Sequence, residues 1–293
     1  MNTAFRAFIV PARRRSALWR LVLGIVVMVV VILAWGAAQI GAVYLWGGRT
    51  GAREALAGMV EPEAPGGTIL LLATFIGMAV APVVAARLLH GRGLGSLVGP
   101  WARAARHFGW AVSLVGVVYL ISIGVTGLGN PPEPNLTPGV WVRLLPLALV
   151  LVLIQTGAEE LIFRGYLLQQ LAARFPWRIV WLVLPALVFG ALHYDPATAG
   201  DNAPMIVGSA AAFGLVAADL TARTGSLGAA WGLHFANNVA ALLIVATKGT
   251  ITGLALYVTP YAADDVEATG ALIAADALVL VAIWAILRWR LRS

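Results

Sequence analysis

Hydrophobic residues run along this chain in long stretches, separated by short segments where Gly, Pro and Arg collect. A helix needs about 20 apolar residues to cross the hydrocarbon core of a bilayer. Eight stretches approach or exceed that length: residues 21–46, 68–89, 108–128, 142–172, 178–194, 205–222, 226–247 and 270–287. The fifth and sixth are short or interrupted by Gly, so counts of six or seven stay open. The pattern predicts an all-α, polytopic integral membrane helix bundle of about eight transmembrane helices, with residues 1–293 forming a single membrane domain. Segment 47–67 has room for one short outer helix, segment 90–107 reads as a basic interfacial stretch, and 129–139 as a turn-rich connection.

The basic residues orient this arrangement, because cytoplasmic flanks collect Lys and Arg. With the N-terminus inside, Arg13, Arg14, Arg15, Arg87, Arg92, Arg174, Arg223, Arg288, Arg290 and Arg292 all fall on the cytoplasmic side. The outer flanks hold only Arg49, Arg53, Arg143 and Lys248. Both termini are therefore expected to be cytoplasmic, in a multi-pass protein of a bacterial cytoplasmic membrane.

Composition narrows the classes further. Hydrophobic residues make up 60% and charged residues 11%, against roughly 25% charged in soluble domains. This excludes disorder, a coiled coil and an ordinarily solvated globule. The net charge of +7 would suggest nucleic acid in a soluble protein. The arginines at span flanks account for it instead, so the lipid bilayer is an expected partner and nucleic acid is not. The chain has no cysteine, which excludes disulfides, thiol nucleophiles, Cys-based zinc sites and lipidation of the chain at cysteine.

Ionisable residues inside spans are costly and need a partner or a task. Three sites stand out: GAEELIFRG in the fourth span, FGALHYD at the end of the fifth, and LHFANN in the seventh. Glu160 and Arg164 stand four residues apart and can pair on one helix face. Glu159 is turned about 100° away and lacks a counter-charge on its own helix. His234 and Asn238 are likewise four apart, while Asn237 points to the side, towards a neighbouring helix. Counted from the inner span ends, Glu159, His193, His234 and Asn238 reach depths compatible with one polar cluster. Asp219 and Arg223 read as a structural pair, Asp276 as a carboxylate near the outer face, and His90 and His107 as interfacial side chains.

A carboxylate, two imidazoles and a carboxamide fit hydrolysis by activated water. A Glu in a low-dielectric site can serve as general base, with His193 holding the water. His234 and Asn238 are donors that can face the oxyanion formed from an amide carbonyl. Neither H-E-x-x-H nor G-x-S-x-G is present.

These residues carry a family resemblance. EELIFR matches EExxxR, FGALH matches FxxxH and HFANN contains HxxxN, in that order on successive hydrophobic segments. The chain resembles the CPBP family, which comprises type II CAAX prenyl endopeptidases, bacteriocin-processing proteins and abortive-infection-like membrane proteins. The motif-bearing core spans about 140–247. The resemblance implies an intramembrane endopeptidase acting on a membrane-associated peptide or protein. Glu159 would be the base with His193, His234 and Asn238 would form the oxyanion hole, and Glu160 and Arg164 would organise the first motif.

Two cofactor readings stay open. His193, His234 and Glu159 could hold a divalent metal such as zinc with an open position, and a metal-free glutamate mechanism is equally compatible. A non-catalytic scaffold or immunity-type protein with the same fold is the main alternative to an enzyme. A transporter would favour inverted repeats and broken helices, and the sequence shows neither. The arginine distribution places access to the site on the cytoplasmic side. Cysteines at Gly232 and Ala236 are the labelling positions this reading suggests.

Overall fold

The computed structural model of the chain describes residues 1–291, so Arg292 of the basic C-terminal flank lies outside the described residues. Six helices are long and apolar enough to cross a membrane. They are α2 (Leu18–Val60), α3 (Pro65–His90), α5 (Trp101–Gly129), α6 (Pro138–Arg174), α8 (Pro196–Thr224) and α10 (Val266–Arg290). Two of the eight expected spans fall short of that description. The fifth is the apolar helix α7 (Ile179–Ala191). The seventh is α9 (Gly228–Val239), prolonged by a π-helical turn at Ala240–Ile244 and then converted to a strand. An amphipathic helix, α1 (Thr3–Arg13), and a single short turn, α4 (Leu94–Val98), lie outside the spans.

The ends of these helices follow from local chemistry. The Asn2 side chain accepts from the Phe5 amide and caps α1. Prolines open α3 and α6, where a missing N–H costs nothing. Gly91 (φ 64°) and Gly225 (φ 65°) close α3 and α8 in the left-handed conformation, which glycine adopts without a Cβ clash. Segment 47–67 does hold one short helix, running up to Val60. It is set off from the first part of α2 by a break at Gly48, whose φ of 63° and ψ of −160° are non-helical.

Small residues set the closest helix contacts, as is usual between apolar helices. A Cβ on Gly228 would lie 2.0 Å from the Ala104 carbonyl oxygen, and one on Gly232 would lie 2.5 Å from that of Phe108. Helix α9 therefore rests directly on the backbone of α5. A Cβ on Gly190 would lie 2.6 Å from the Val207 oxygen, which seats α7 equally close to α8. The two short helices are thus clasped by longer ones.

The molecule has two distinct ends. At one, the arginine-bearing segments meet: Asn2 Nδ2 donates to Arg223 O, Arg20 to Leu89 O, Arg103 to Thr224 O and Arg92 to Gln169. Helix α4 docks here rather than lying free, since Gln169 Nε2 reaches the carbonyls of Ser96 and Leu97. Burial of Arg92 lowers its guanidinium from the ordinary value to about 10. His90 and His107, expected at the interface, are buried instead. His90 bridges Arg15 O and the Tyr166 hydroxyl, both at 2.9 Å, and so ties the N-terminal segment to α6.

At the other end lies a three-stranded sheet, β1 (Glu133–Pro134), β2 (Val245–Lys248) and β3 (Tyr257–Ala262), in the order β1-β3-β2. Strand β3 pairs antiparallel with β1 and parallel with β2. The fold stays all-α, and the turn-rich 129–139 connection contributes only the two residues of β1 to this small sheet. The Val-Ala-Thr-Lys run favours an extended chain, and Lys248 pairs with Glu133 at 2.8 Å across the sheet.

Candidate active site

The motif residues converge where α6, α7, α8 and α9 meet. Helix α6 carries Gln155, Glu159, Glu160 and Arg164, all buried, and passes into a π-helical turn over Leu161–Leu167. Such turns are frequent at functional sites. The Glu160 Oε1 atom accepts from Arg164 Nη1 at 2.8 Å and faces His234 Nδ1 at 2.9 Å. Arg164 Nη2 donates to the Gly214 carbonyl of α8 at 3.1 Å, and the guanidinium lies 4.8 Å from the Phe189 ring centre of α7. Glu160 and Arg164 therefore join four helices.

Glu159 occupies the adjoining face. Its Oε1 accepts from Gln155 Nε2 at 2.7 Å, while its buried Oε2 has no hydrogen-bond partner. The closest cationic candidate is His234 Nε2 at 3.4 Å. His234 thus stands between the two glutamates, with Phe213 and Phe189 edge-on to its ring. Gln155 Oε1 accepts from Asn238 Nδ2 at 2.8 Å, Asn238 Oδ1 accepts from Asn237 Nδ2 at 3.0 Å, and Asn237 Oδ1 accepts from the Tyr119 hydroxyl at 2.6 Å. A continuous polar chain runs from α5 through α9 to the Glu159 carboxylate.

His193 lies beyond the end of α7, in the turn that follows, and not inside a span. Its Nδ1 is 2.8 Å from Phe189 O. A carbonyl only accepts, so Nδ1 carries the proton and Nε2 of the neutral ring is left with a lone pair. Glu159, His193, His234 and Asn238 all line one cavity of about 650 Å³, together with Gln155, Tyr119 and Asp276.

Several sequence expectations change. Asp219 does not pair along α8 with Arg223; it accepts from Trp284 Nε1 at 2.9 Å and from Arg288, both on α10. Gly232 and Ala236 do not face the cavity, since Gly232 abuts Phe108 and Ala111 on α5 and Ala236 is buried. Gln155 escaped notice although it stands one helical turn before Glu159, a spacing that would have exposed it. Tyr119 was missed as well, although a hydroxyl in the middle of the 108–128 stretch needs a partner and so was a signal.

The residues present do not fit a metal. Among the described residues no group of three His, Asp or Glu side chains is placed to hold an ion. His234 Nδ1 is committed to Glu160 and His193 Nδ1 to a carbonyl. His193, His234 and Glu159, the set named in one of the two cofactor readings, are not gathered as a metal site among the described residues.

Residues 141–240 match the family model described as Type II CAAX prenyl endopeptidase Rce1-like. A Bacillus subtilis (strain 168) protein described as uncharacterized protein YyaK is 34% identical over 121 residues. That match covers 41% of this chain, and the chain spans only 40% of that relative's length. No solved structure matches the chain. The matched segment contains all three motifs and both glutamates, and over residues 141–240 this integral membrane protein is similar to the Rce1-like type II CAAX prenyl endopeptidases.

Proposed function

We propose that the protein is a membrane-embedded endopeptidase that hydrolyses a peptide bond of a membrane-associated substrate with activated water. The observation that carries this reading is the Glu159 Oε2 atom, buried and without a hydrogen-bond partner beside a cavity that His193, His234 and Asn238 also line. An unsatisfied buried oxygen costs free energy unless a ligand or water meets it. Residues 140–247 form the catalytic core of a single membrane domain, whose two termini lie on the cytoplasmic side of a bacterial cytoplasmic membrane.

The chemistry follows from the donors and acceptors. Glu159 takes a proton from a water that also donates to His193 Nε2, and the resulting hydroxide attacks the carbonyl carbon. The oxyanion accepts from Asn238 Nδ2, one of whose two protons is left by Gln155, and from Nε2–H of His234. Glu160 accepts from His234 Nδ1 and stabilises the imidazolium form, in which both ring nitrogens donate. Protonated Glu159 then delivers its proton to the departing amine.

The test compares purified wild-type and Glu159→Gln protein on a membrane-associated peptide reporter. Cleavage by the wild type and its near-complete loss in the variant is the expected outcome, since general-base catalysis supplies about 10²–10⁴-fold. Equal cleavage by both would remove the enzymatic assignment. Full retention of biological effect in Glu159→Ala cells would favour a scaffold.

A further inference from the structure

The polar chain behind Glu159 has a direction, and its two ends fix that direction. An ionised carboxylate accepts hydrogen bonds and donates none, so the Gln155 amide points its nitrogen at Glu159 Oε1, 2.7 Å away. The Gln155 oxygen is then left for Asn238 Nδ2 at 2.8 Å. Asn238 in turn offers Oδ1 to Asn237 Nδ2 at 3.0 Å, and Asn237 offers Oδ1 to the Tyr119 hydroxyl at 2.6 Å. Each amide has one donating and one accepting end. Turning any one of the three over sets oxygen against oxygen at one of its contacts, so they keep or lose their orientation together.

The two ends behave differently during the reaction proposed above. Glu159 dictates the direction only while it is ionised. Once it has taken the proton of the attacking water it is a carboxylic acid, which donates as well as accepts, and its hold on Gln155 and Asn238 lapses. That is the interval in which the oxyanion exists and needs an N–H from Asn238. The Tyr119 end stays constant, because a phenol keeps its proton at neutral pH. Among the described residues no other side chain donates to Asn237 Oδ1. Asp276 lines the same cavity, yet the Tyr119 proton goes to Asn237. Tyr119 is presented by α5, whose backbone α9 abuts at Gly228 and Gly232, so the distance between the hydroxyl and Asn237 is fixed by close helix packing.

We infer that Tyr119 and Asn237 are positioning residues of the reaction: the Tyr119 hydroxyl, acting through Asn237, keeps the Asn238 amide nitrogen turned towards the oxyanion after Glu159 has been protonated. Asn237 occupies a free position of HxxxN, and Tyr119 lies outside the matched segment 141–240. Without the hydroxyl, Asn237 can turn end for end. Asn238 follows to keep the bond between them, and its oxygen then faces the developing negative charge, where a donor is needed. The inference rests on the proposed peptidase reading and adds a part of α5 to its machinery.

The experiment uses the full chain in phospholipid nanodiscs and the membrane-associated peptide reporter. Tyr119→Phe removes the hydroxyl and keeps the ring. Its kcat should fall on the order of tenfold, part of the 10²–10³-fold that outright loss of an oxyanion donor costs, while KM and the thermal midpoint stay close to wild type. The deciding comparison is a double-mutant cycle with Asn238→Ala. If Tyr119 acts through Asn238, adding Tyr119→Phe to Asn238→Ala should change kcat by less than about twofold, whereas independent effects multiply. Asn237→Asp is a second variant of nearly the same size. A carboxylate there accepts from Tyr119 but donates nothing to Asn238, so kcat should fall at least as far as in Tyr119→Phe, again with KM unchanged. Where Tyr119→Phe fails to fold, Asn237→Asp combined with Asn238→Ala carries the same test. Unchanged kcat in the single variants, or multiplying effects in the cycle, overturns the inference and leaves the peptidase reading intact. A raised KM with unchanged kcat also overturns it, by assigning Tyr119 to substrate binding. No cleavage by the wild type overturns the peptidase reading and the inference with it.

Discussion

His234 Nδ1 lies 2.9 Å from Glu160 Oε1, the same oxygen that accepts from Arg164 at 2.8 Å. One carboxylate oxygen thus orients the imidazole of α9 and anchors the guanidinium of α6. Because Arg164 also bonds the Gly214 carbonyl, the orientation of His234 depends on three helices at once.

Arg164→Ala removes the guanidinium partner of Glu160, a fully buried carboxylate that then keeps only His234. Breaking one partner of a buried pair costs about 3–5 kcal/mol. The expected outcome is a large drop in folded yield and in thermal midpoint in detergent. Arg164→Lys should recover part of the loss, because it restores the charge but not the bond to Gly214 O. A midpoint unchanged in Arg164→Ala would show that the pair is dispensable.

Gln155 holds Glu159 Oε1 with its amide nitrogen and Asn238 Nδ2 with its oxygen. Gln155→Ala frees both groups without touching the cavity wall formed by His193. Turnover should fall on the order of tenfold, about the worth of one hydrogen bond to a charged group, while KM moves little. Circular dichroism and thermal melting should stay close to wild type. A large KM increase with unchanged kcat would assign Gln155 to substrate binding instead.

His90 is buried between Arg15 O and the Tyr166 hydroxyl. His90→Phe leaves a buried hydroxyl and a carbonyl without partners, at a cost of about 1–3 kcal/mol for each unsatisfied group. The variant should melt earlier and become more sensitive to proteolysis within residues 1–17, with peptide cleavage retained at low temperature. Protection of that segment equal to wild type would dissociate His90 from the docking of α1.

The close approach of α9 to α5 predicts that Gly232→Leu disrupts folding, since even a Cβ would stand 2.5 Å from Phe108 O. Ser209, which lines the catalytic cavity, and Thr250, which lines a smaller one beside it, are the suitable cysteine positions in this Cys-free chain. A membrane-impermeant thiol reagent should label Thr250→Cys from the side opposite the N-terminus. Labelling from the N-terminal side would place the opening at the arginine-rich end.

The membrane-spanning helices were legible in the sequence because length and apolarity are local properties, and the Glu160–Arg164 pair was legible because four residues make one helical turn. The chemistry-bearing side chains were legible too, since polar groups in apolar stretches are costly wherever the helices lie. Partners across helices were not. These helices are apolar on nearly every face, so their sequences carry little information about rotation, and rotation decides whether Asp219 meets Arg223 or Arg288. The same uncertainty hid the placement of His234 between two glutamates and the link from Gln155 to Asn238. Span counting also treats each apolar run as a full crossing. Glycine contacts at Gly190, Gly228 and Gly232 instead let two short helices seat against longer neighbours, and only that packing brought Glu159, His193, His234 and Asn238 to one cavity.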